Sequence, residues 1–232
     1  MEAETRAHPH RGRLAAWLVF VGSWSALAYS VRLAGGADTP DEPLYRYGTA
    51  ISGAITFGLL LAVGLAIAGF RHGPARELLG WRSPSSWKLA AGLSLLVLVA
   101  VYALAAVLSL VGGLNPGEEQ GLLPSEWRPD RLPQYAANFA LIVGFAPVVE
   151  ELLFRGLGYS LLRPFGRWPA IVLVGVAFAA AHGLVEAFPL LALFGVGLAW
   201  IRDRTGSVLP CIVLHGLFNG IAMLAVFARA PA

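Results

Sequence analysis

Long apolar runs alternate with short charged stretches along the chain. Runs free of Asp, Glu, Lys and Arg cover 14–31, 48–70, 89–111, 132–149, 168–185, 187–201 and 205–228. A hydrocarbon core about 30 Å thick takes about 20 helical residues at 1.5 Å each, so an apolar run of about 18 or more predicts a spanning helix. All but one of the runs reach that length; 187–201 has 15 residues and contains Pro189. The pattern predicts an all-α fold, a polytopic transmembrane helical bundle of about seven spanning helices, forming a single integral membrane domain over 1–232. Between the runs, Pro74, Gly80 and Pro84 break 71–88 into an interfacial loop with room for one short amphipathic turn, flanked by Trp81 and Trp87 at headgroup level. The stretch 112–134 is rich in Gly, Pro and Glu and reads as a solvated loop, in which Glu118 and Glu119 face water. No internal repeat, low-complexity tract or second domain is evident.

Composition sharpens this reading. Hydrophobic residues make up 57% of the chain and charged ones 13%, against about 25% charged in a soluble domain. The basic balance (pI ≈ 9.3) would suit a nucleic-acid binder, but the distribution of the basic residues explains it without one. With the N-terminus in the cytoplasm and the runs alternating sides, Arg6, Arg11, Arg13, Arg71, Arg76, Arg82, Lys88, Arg163, Arg167, Arg202 and Arg204 fall inside. Only Arg32, Arg46, Arg128, Arg131 and Arg229 fall outside. Excess Lys and Arg marks the cytoplasmic side. The expected location is therefore the plasma (cell inner) membrane, multi-pass, N-terminus in and C-terminus out, with the lipid bilayer as a partner and no nucleic acid. No cleavage site follows the first run, so no cleaved signal peptide is expected. The single cysteine, Cys211, excludes an internal disulfide and a cysteine metal cage.

A few polar residues interrupt the later runs: Glu150, Glu151, Arg155, His182, His215 and Asn219. Charged groups at bilayer depth cost about 2.5–3.5 kcal/mol each on insertion scales, and so are functional candidates. Counting helical rise from Arg163, Arg167 and Arg204, Glu150, His182, His215 and Asn219 all lie about 17–22 Å from the cytoplasmic end. Three helices thus bring polar groups to nearly one level, around a shared cavity. Residues four apart share a helix face, which pairs Glu151 with Arg155 as structural support and leaves Glu150 the free carboxylate. Pro147 cannot donate a backbone hydrogen bond, which predicts a kink that opens space beside Glu150. His215 and Asn219 also share a face. A carboxylate and an imidazole can activate water, and a second imidazole with an amide can stabilise an oxyanion. The same groups, Glu150, His182 and His215, suit zinc as an alternative, with an open position for water.

The three motifs Glu150-Glu151-Leu-Leu-Phe-Arg155, Phe178-Ala-Ala-Ala-His182 and His215-Gly-Leu-Phe-Asn219 together resemble the CPBP family of intramembrane proteases (CAAX prenyl protease type II and bacteriocin-processing, also called Abi). The resemblance covers roughly 135–225, in order and on separate predicted helices, which would make that region the catalytic helical core. It implies an endopeptidase acting on a membrane-associated peptide or protein substrate, prenylated or bacteriocin-like. Glu150 would be the general base acting with His182, His215 and Asn219 the oxyanion partners, and Glu151 and Arg155 the support. Family members are described both as metalloproteases and as glutamate proteases, so zinc stays open. The first three runs carry no substrate information. Two non-enzymatic readings compete: a proton or small-solute pathway through the same polar cavity, and a non-catalytic scaffold or immunity protein of the same fold. His-Glu-x-x-His, Gly-x-Ser-x-Gly and paired intramembrane aspartates are absent from the chain.

Overall fold

The structure, a computed structural model, describes residues 10–34, 42–69, 75–114, 119, 122–124 and 126–229. Part of the charge pattern behind the expected orientation lies outside them, namely Arg6 and Arg71, and with them Glu118 of the 112–134 stretch.

The apolar runs fold into helices that end where the sequence supplies the means. These are α1 (Arg11–Leu33), α2 (Tyr47–Ala68), α3 (Ala75–Leu79), α4 (Trp87–Gly112), α5 (Pro129–Phe165), α6 (Arg167–Ala181), α7 (Phe188–Thr205) and α8 (Leu209–Leu224). Ser86 caps α4 by accepting the Leu89 N–H through its hydroxyl. Pro189 and Pro210 sit in the first turns of α7 and α8, where their missing N–H costs no hydrogen bond. Gly206 closes α7 at φ 70°, a left-handed turn that any side chain would strain. The interfacial stretch holds the short helix α3, whose Leu78 and Leu79 are buried.

The molecule is a helical membrane bundle. Among the described residues five helices, α1, α2, α4, α5 and α8 with its 3₁₀ extension, are long and apolar enough to cross a membrane. The expected number of about seven is not reached by that standard. Helix α6 has 15 residues, and α7 has 18 with Arg202, Asp203 and Arg204 in its last turns. Lipid-facing surfaces remain apolar, as on α2, where Ile51, Ile55 and Leu59 are exposed.

Helices α6 and α7 pack backbone to backbone. A Cβ on Gly175 would stand 2.5 Å from the Val196 nitrogen, and one on Gly195 would stand 2.6 Å from the Gly175 oxygen. Small residues permit such approach where lipid offers no hydrophobic drive between helices. Helix α5 runs through the middle of the bundle. Trp17 of α1, buried, donates its indole N–H to the Leu153 carbonyl (3.0 Å) and lies over Gly158. On the charged side, Asp203 accepts from the Tyr159 hydroxyl (2.6 Å) and pairs with Arg167 (2.7 Å), tying α5, α6 and α7 together.

The 112–134 stretch departs from expectation. Glu119 is not a solvated side chain: it is 3% exposed, pairs with Arg32 (2.6 Å) and accepts the backbone N–H groups of Val185 and Ala187. The reason is local. The turn between α6 and α7 leaves those N–H groups without helical partners, and a carboxylate from a neighbouring loop satisfies them. Nearby, Trp127 packs against Tyr45 and Tyr135.

Candidate active site

Pro147 shapes the site through what it cannot donate. Helix α5 is α-helical over Leu132–Phe139, Ala146–Glu151 and Tyr159–Leu162, but π-helical over Ala140–Phe145 and Leu152–Gly158. In π spacing the donor for Ile142 would be residue 147, and in α spacing residue 147 would serve Val143. Proline serves neither. The Ile142 carbonyl is taken instead by the Asn219 amide (2.9 Å) from α8, and the Val143 carbonyl faces Gly216, where a Cβ would come within 2.7 Å. The expected disturbance at Pro147 therefore takes the form of widened turns that lock α5 to α8.

Those turns present Glu150 and Glu151 to different surroundings. Glu151 and Arg155 are both fully buried and joined at 2.8 Å. The guanidinium also donates to the Gly195 carbonyl (3.0 Å) and lies 4.2 Å over the Phe178 ring. The same Glu151 oxygen lies 2.9 Å from Nδ1 of His215. A carboxylate held by an arginine only accepts, so Nδ1 of His215 carries the proton and Nε2 turns away from Glu151. This contact between two motifs was not foreseen from sequence, where Glu151 was only the partner of Arg155.

His182 ends α6, and its Nδ1 lies 2.8 Å from the Phe178 carbonyl. A carbonyl accepts, so here too Nδ1 is the donor and Nε2 points elsewhere. Both Nε2 atoms point at Glu150: its Oε2 lies 3.9 Å from that of His182 and 3.8 Å from that of His215. Glu150 Oε2 is buried and makes no direct hydrogen bond among the described residues. Phe178 fixes both rings, with centroids 4.6 Å from His182 and 5.6 Å from His215. Asn219, with one amide hydrogen spent on Ile142, keeps the other for the cavity.

All four residues line one cavity of about 410 Å³. Its opposite wall comes from the first two helices: Phe20, Val21 and Trp24 of α1, and Thr56, Phe57 and Leu60 of α2. Sequence reasoning found no signal in those runs, because side chains facing a cavity and side chains facing lipid are equally apolar.

One carboxylate and two imidazoles are the donor types of catalytic zinc, which binds them at about 2.0–2.1 Å with neighbouring ligands about 3.4 Å apart in a tetrahedron. The separations of 3.8 and 3.9 Å are wider, and among the described residues no group of three or more such side chains is set to hold a metal ion. A water oxygen about 2.8 Å from both partners fits between the carboxylate and either imidazole.

Comparison with curated proteins and with solved structures returns no significant match. A family model does match, and it covers residues 132–221, the stretch that holds Glu150, His182, His215 and Asn219. Its description is type II CAAX prenyl endopeptidase Rce1-like. Over α5 to α8, this membrane protein is thus similar to the Rce1-like type II CAAX prenyl endopeptidases.

Proposed function

We propose that the protein is an intramembrane endopeptidase of the CPBP type, hydrolysing a peptide bond in a membrane-associated substrate with a lipidated or otherwise apolar segment. The observation that carries this reading is the meeting of Glu150 Oε2 with two imidazole Nε2 atoms whose other nitrogens are already engaged. Such a cluster can hold and polarise one water inside an apolar cavity.

In the proposed reaction Glu150 takes a proton from the water while His182 Nε2 holds its second hydrogen. The water oxygen bonds to the carbonyl carbon, and the carbonyl oxygen becomes an oxyanion. His215, as an imidazolium backed by Glu151, and the free Asn219 N–H donate to that oxyanion. With His215 charged, Glu150, Glu151, Arg155 and His215 sum to zero, which suits a site of low dielectric. The C–N bond then breaks, Glu150 passes its proton to the leaving amine, and the new acid loses its proton to give a carboxylate. The proposed reaction uses these side chains alone and routes no step through a metal.

The N-terminus is placed in the cytoplasm of a plasma-membrane protein, on the distribution of Lys and Arg. The test of function is comparison of membrane-protein termini from cells holding the native chain or Glu150→Ala. New termini that depend on Glu150 are expected, and their absence would remove the protease reading. Proteoliposome flux lost in Glu150→Gln would favour a proton pathway instead. Cleavage by purified protein should survive strong chelation, and loss restored by added zinc would overturn the metal-free chemistry.

A further inference from the structure

The Glu119 carboxylate is heavily engaged, although it lies outside the group of polar residues around Glu150. Oε1 pairs with Arg32 (2.6 Å) and accepts from Val185 N (2.8 Å), while Oε2 accepts from Ala187 N (2.7 Å). Burial alone would push this carboxyl up; the N–H groups of Ala187, Val185 and Glu186 and the charge of Arg32 outweigh that and hold it below its ordinary value.

What it joins gives the contact meaning. Val185 and Ala187 lie in the turn that directly follows His182. α1 grips the same turn: the Tyr29 hydroxyl donates to the Leu184 carbonyl (3.2 Å), and Gly183, at φ 64°, leaves no space for a Cβ against the Ala28 backbone. A few residues beyond Glu119, Leu122 and Leu123 line the catalytic cavity. The far end of this segment is also tied. The Tyr45 hydroxyl donates to the Glu126 carbonyl (2.9 Å) and accepts the Arg128 N–H (3.0 Å), and Arg128 pairs with Glu42 (2.8 Å).

We propose that Glu119 is a positioning residue, the fastening of a strap: it ties the segment carrying Leu122 and Leu123 to the turn after His182, and so governs access to the cavity. Release of the carboxylate leaves two N–H groups unpaired and frees the cover on its α6–α7 side, while the Tyr45 and Arg128 contacts keep the other end in place as a hinge. The proposal concerns the same cavity but does not require that peptide hydrolysis occur there.

The test uses the full chain in detergent with Thr56→Cys as a reporter inside the cavity and a water-soluble maleimide as the probe. Cys211 is buried, and the chain without the reporter gives the background. Glu119→Gln removes the charge and presents an amide to at least one of the N–H donors. Labelling should accelerate about tenfold, the order expected for loss of a charge-assisted hydrogen bond. Arg32→Met, which leaves both backbone contacts, should give a smaller rise. Glu186→Gln, in the same turn but exposed, should give none. Hydrogen exchange at Val185 and Ala187 should rise with labelling in Glu119→Gln alone. Should Glu119→Gln fold poorly, Leu122→Ala with Leu123→Ala trims the cover and leaves the fastening, and labelling should again rise. Rates within twofold of the parent in both variants overturn the proposal, as does an equal rise in Glu186→Gln. Labelling needs no cleavage, so an inactive protein with a working strap would refute the protease reading alone.

Discussion

At the scale of the residue, Glu150 and Glu151 are sequence neighbours with opposite surroundings. Glu151 is fully buried between Arg155 and His215. Glu150 faces the cavity and makes no direct hydrogen bond through Oε2 among the described residues. Substitution should separate the two. Glu150→Gln keeps shape and removes the proposed base, so turnover should fall by about 10²-fold or more, with the thermal midpoint in detergent unchanged. Glu151→Gln leaves the Arg155 charge buried without its anion, a loss of about 3–5 kcal/mol in the usual case, read as a lower midpoint. Adding Arg155→Met to Glu151→Gln should recover much of that loss, because the pair is then removed together. A midpoint lowered equally by Glu150→Gln would mean that both carboxylates are structural. The division between the two glutamates was legible in the sequence, since helical phase sets Glu151 over Arg155. The bond to His215 was not: phase tells which residues share a face of one helix, not which residue on another helix they meet.

At the scale of the element, α5 can carry the proposed machinery because it is not a regular helix. Pro147 leaves the Ile142 carbonyl to Asn219, and this coupling of α5 to α8 aims the remaining amide hydrogen. Pro147→Ala restores an N–H that competes for the Ile142 and Val143 carbonyls. Alanine is also the better helix former by about 3 kcal/mol in a helix interior. The expected result is a midpoint unchanged or raised, with turnover reduced about tenfold, somewhat less than removal of an oxyanion donor outright. Unchanged turnover would show that the Asn219 contact does not matter for chemistry. The proline announced an irregularity in sequence, but whether it would appear as a kink or as a widened turn depended on acceptors that only α8 supplies. The strap gave even less signal, since a Gly- and Pro-rich loop has no period from which a buried carboxylate could be read. Its pH dependence follows from the depressed value of Glu119. A carboxyl whose folded pKa lies below its unfolded value contributes stability above the unfolded value, and that contribution is lost as pH falls through the folded one. Protection of Val185 and Ala187, corrected for intrinsic exchange, should therefore persist through the ordinary glutamate value of 4.5 and fail only at lower pH. Loss of protection above 4.5 would contradict the pairing.

At the scale of the whole molecule, the chemistry and the cavity have different sources. Helices α5 to α8 hold Glu150, His182, His215 and Asn219, whereas α1, α2 and the segment carrying Leu122 and Leu123 line the space in front of them. The two parts are also bound mechanically. Trp17 of α1 donates to Leu153 and packs on Gly158, and a Cβ on Gly64 of α2 would meet the Leu153 side chain at 2.5 Å. The domain from α5 to α8 is thus expected to need α1 and α2 both to fold and to choose a substrate. Expressed alone, residues 129–229 should aggregate or exchange amide hydrogens throughout α5. Co-expression with residues 1–114 should restore protection, because the joining contacts are noncovalent packing and hydrogen bonds such as those of Trp17 to Leu153, Tyr29 to Leu184 and Asn138 to Leu44. Choice of substrate is tested in the intact chain. Phe57→Ala and Trp24→Ala enlarge the cavity on the side away from Glu150, so they should change which membrane-protein termini appear while leaving their dependence on Glu150 intact. An unchanged set of termini in both variants would place substrate choice in α5 to α8, and the first two helices would then serve only to hold the bundle together.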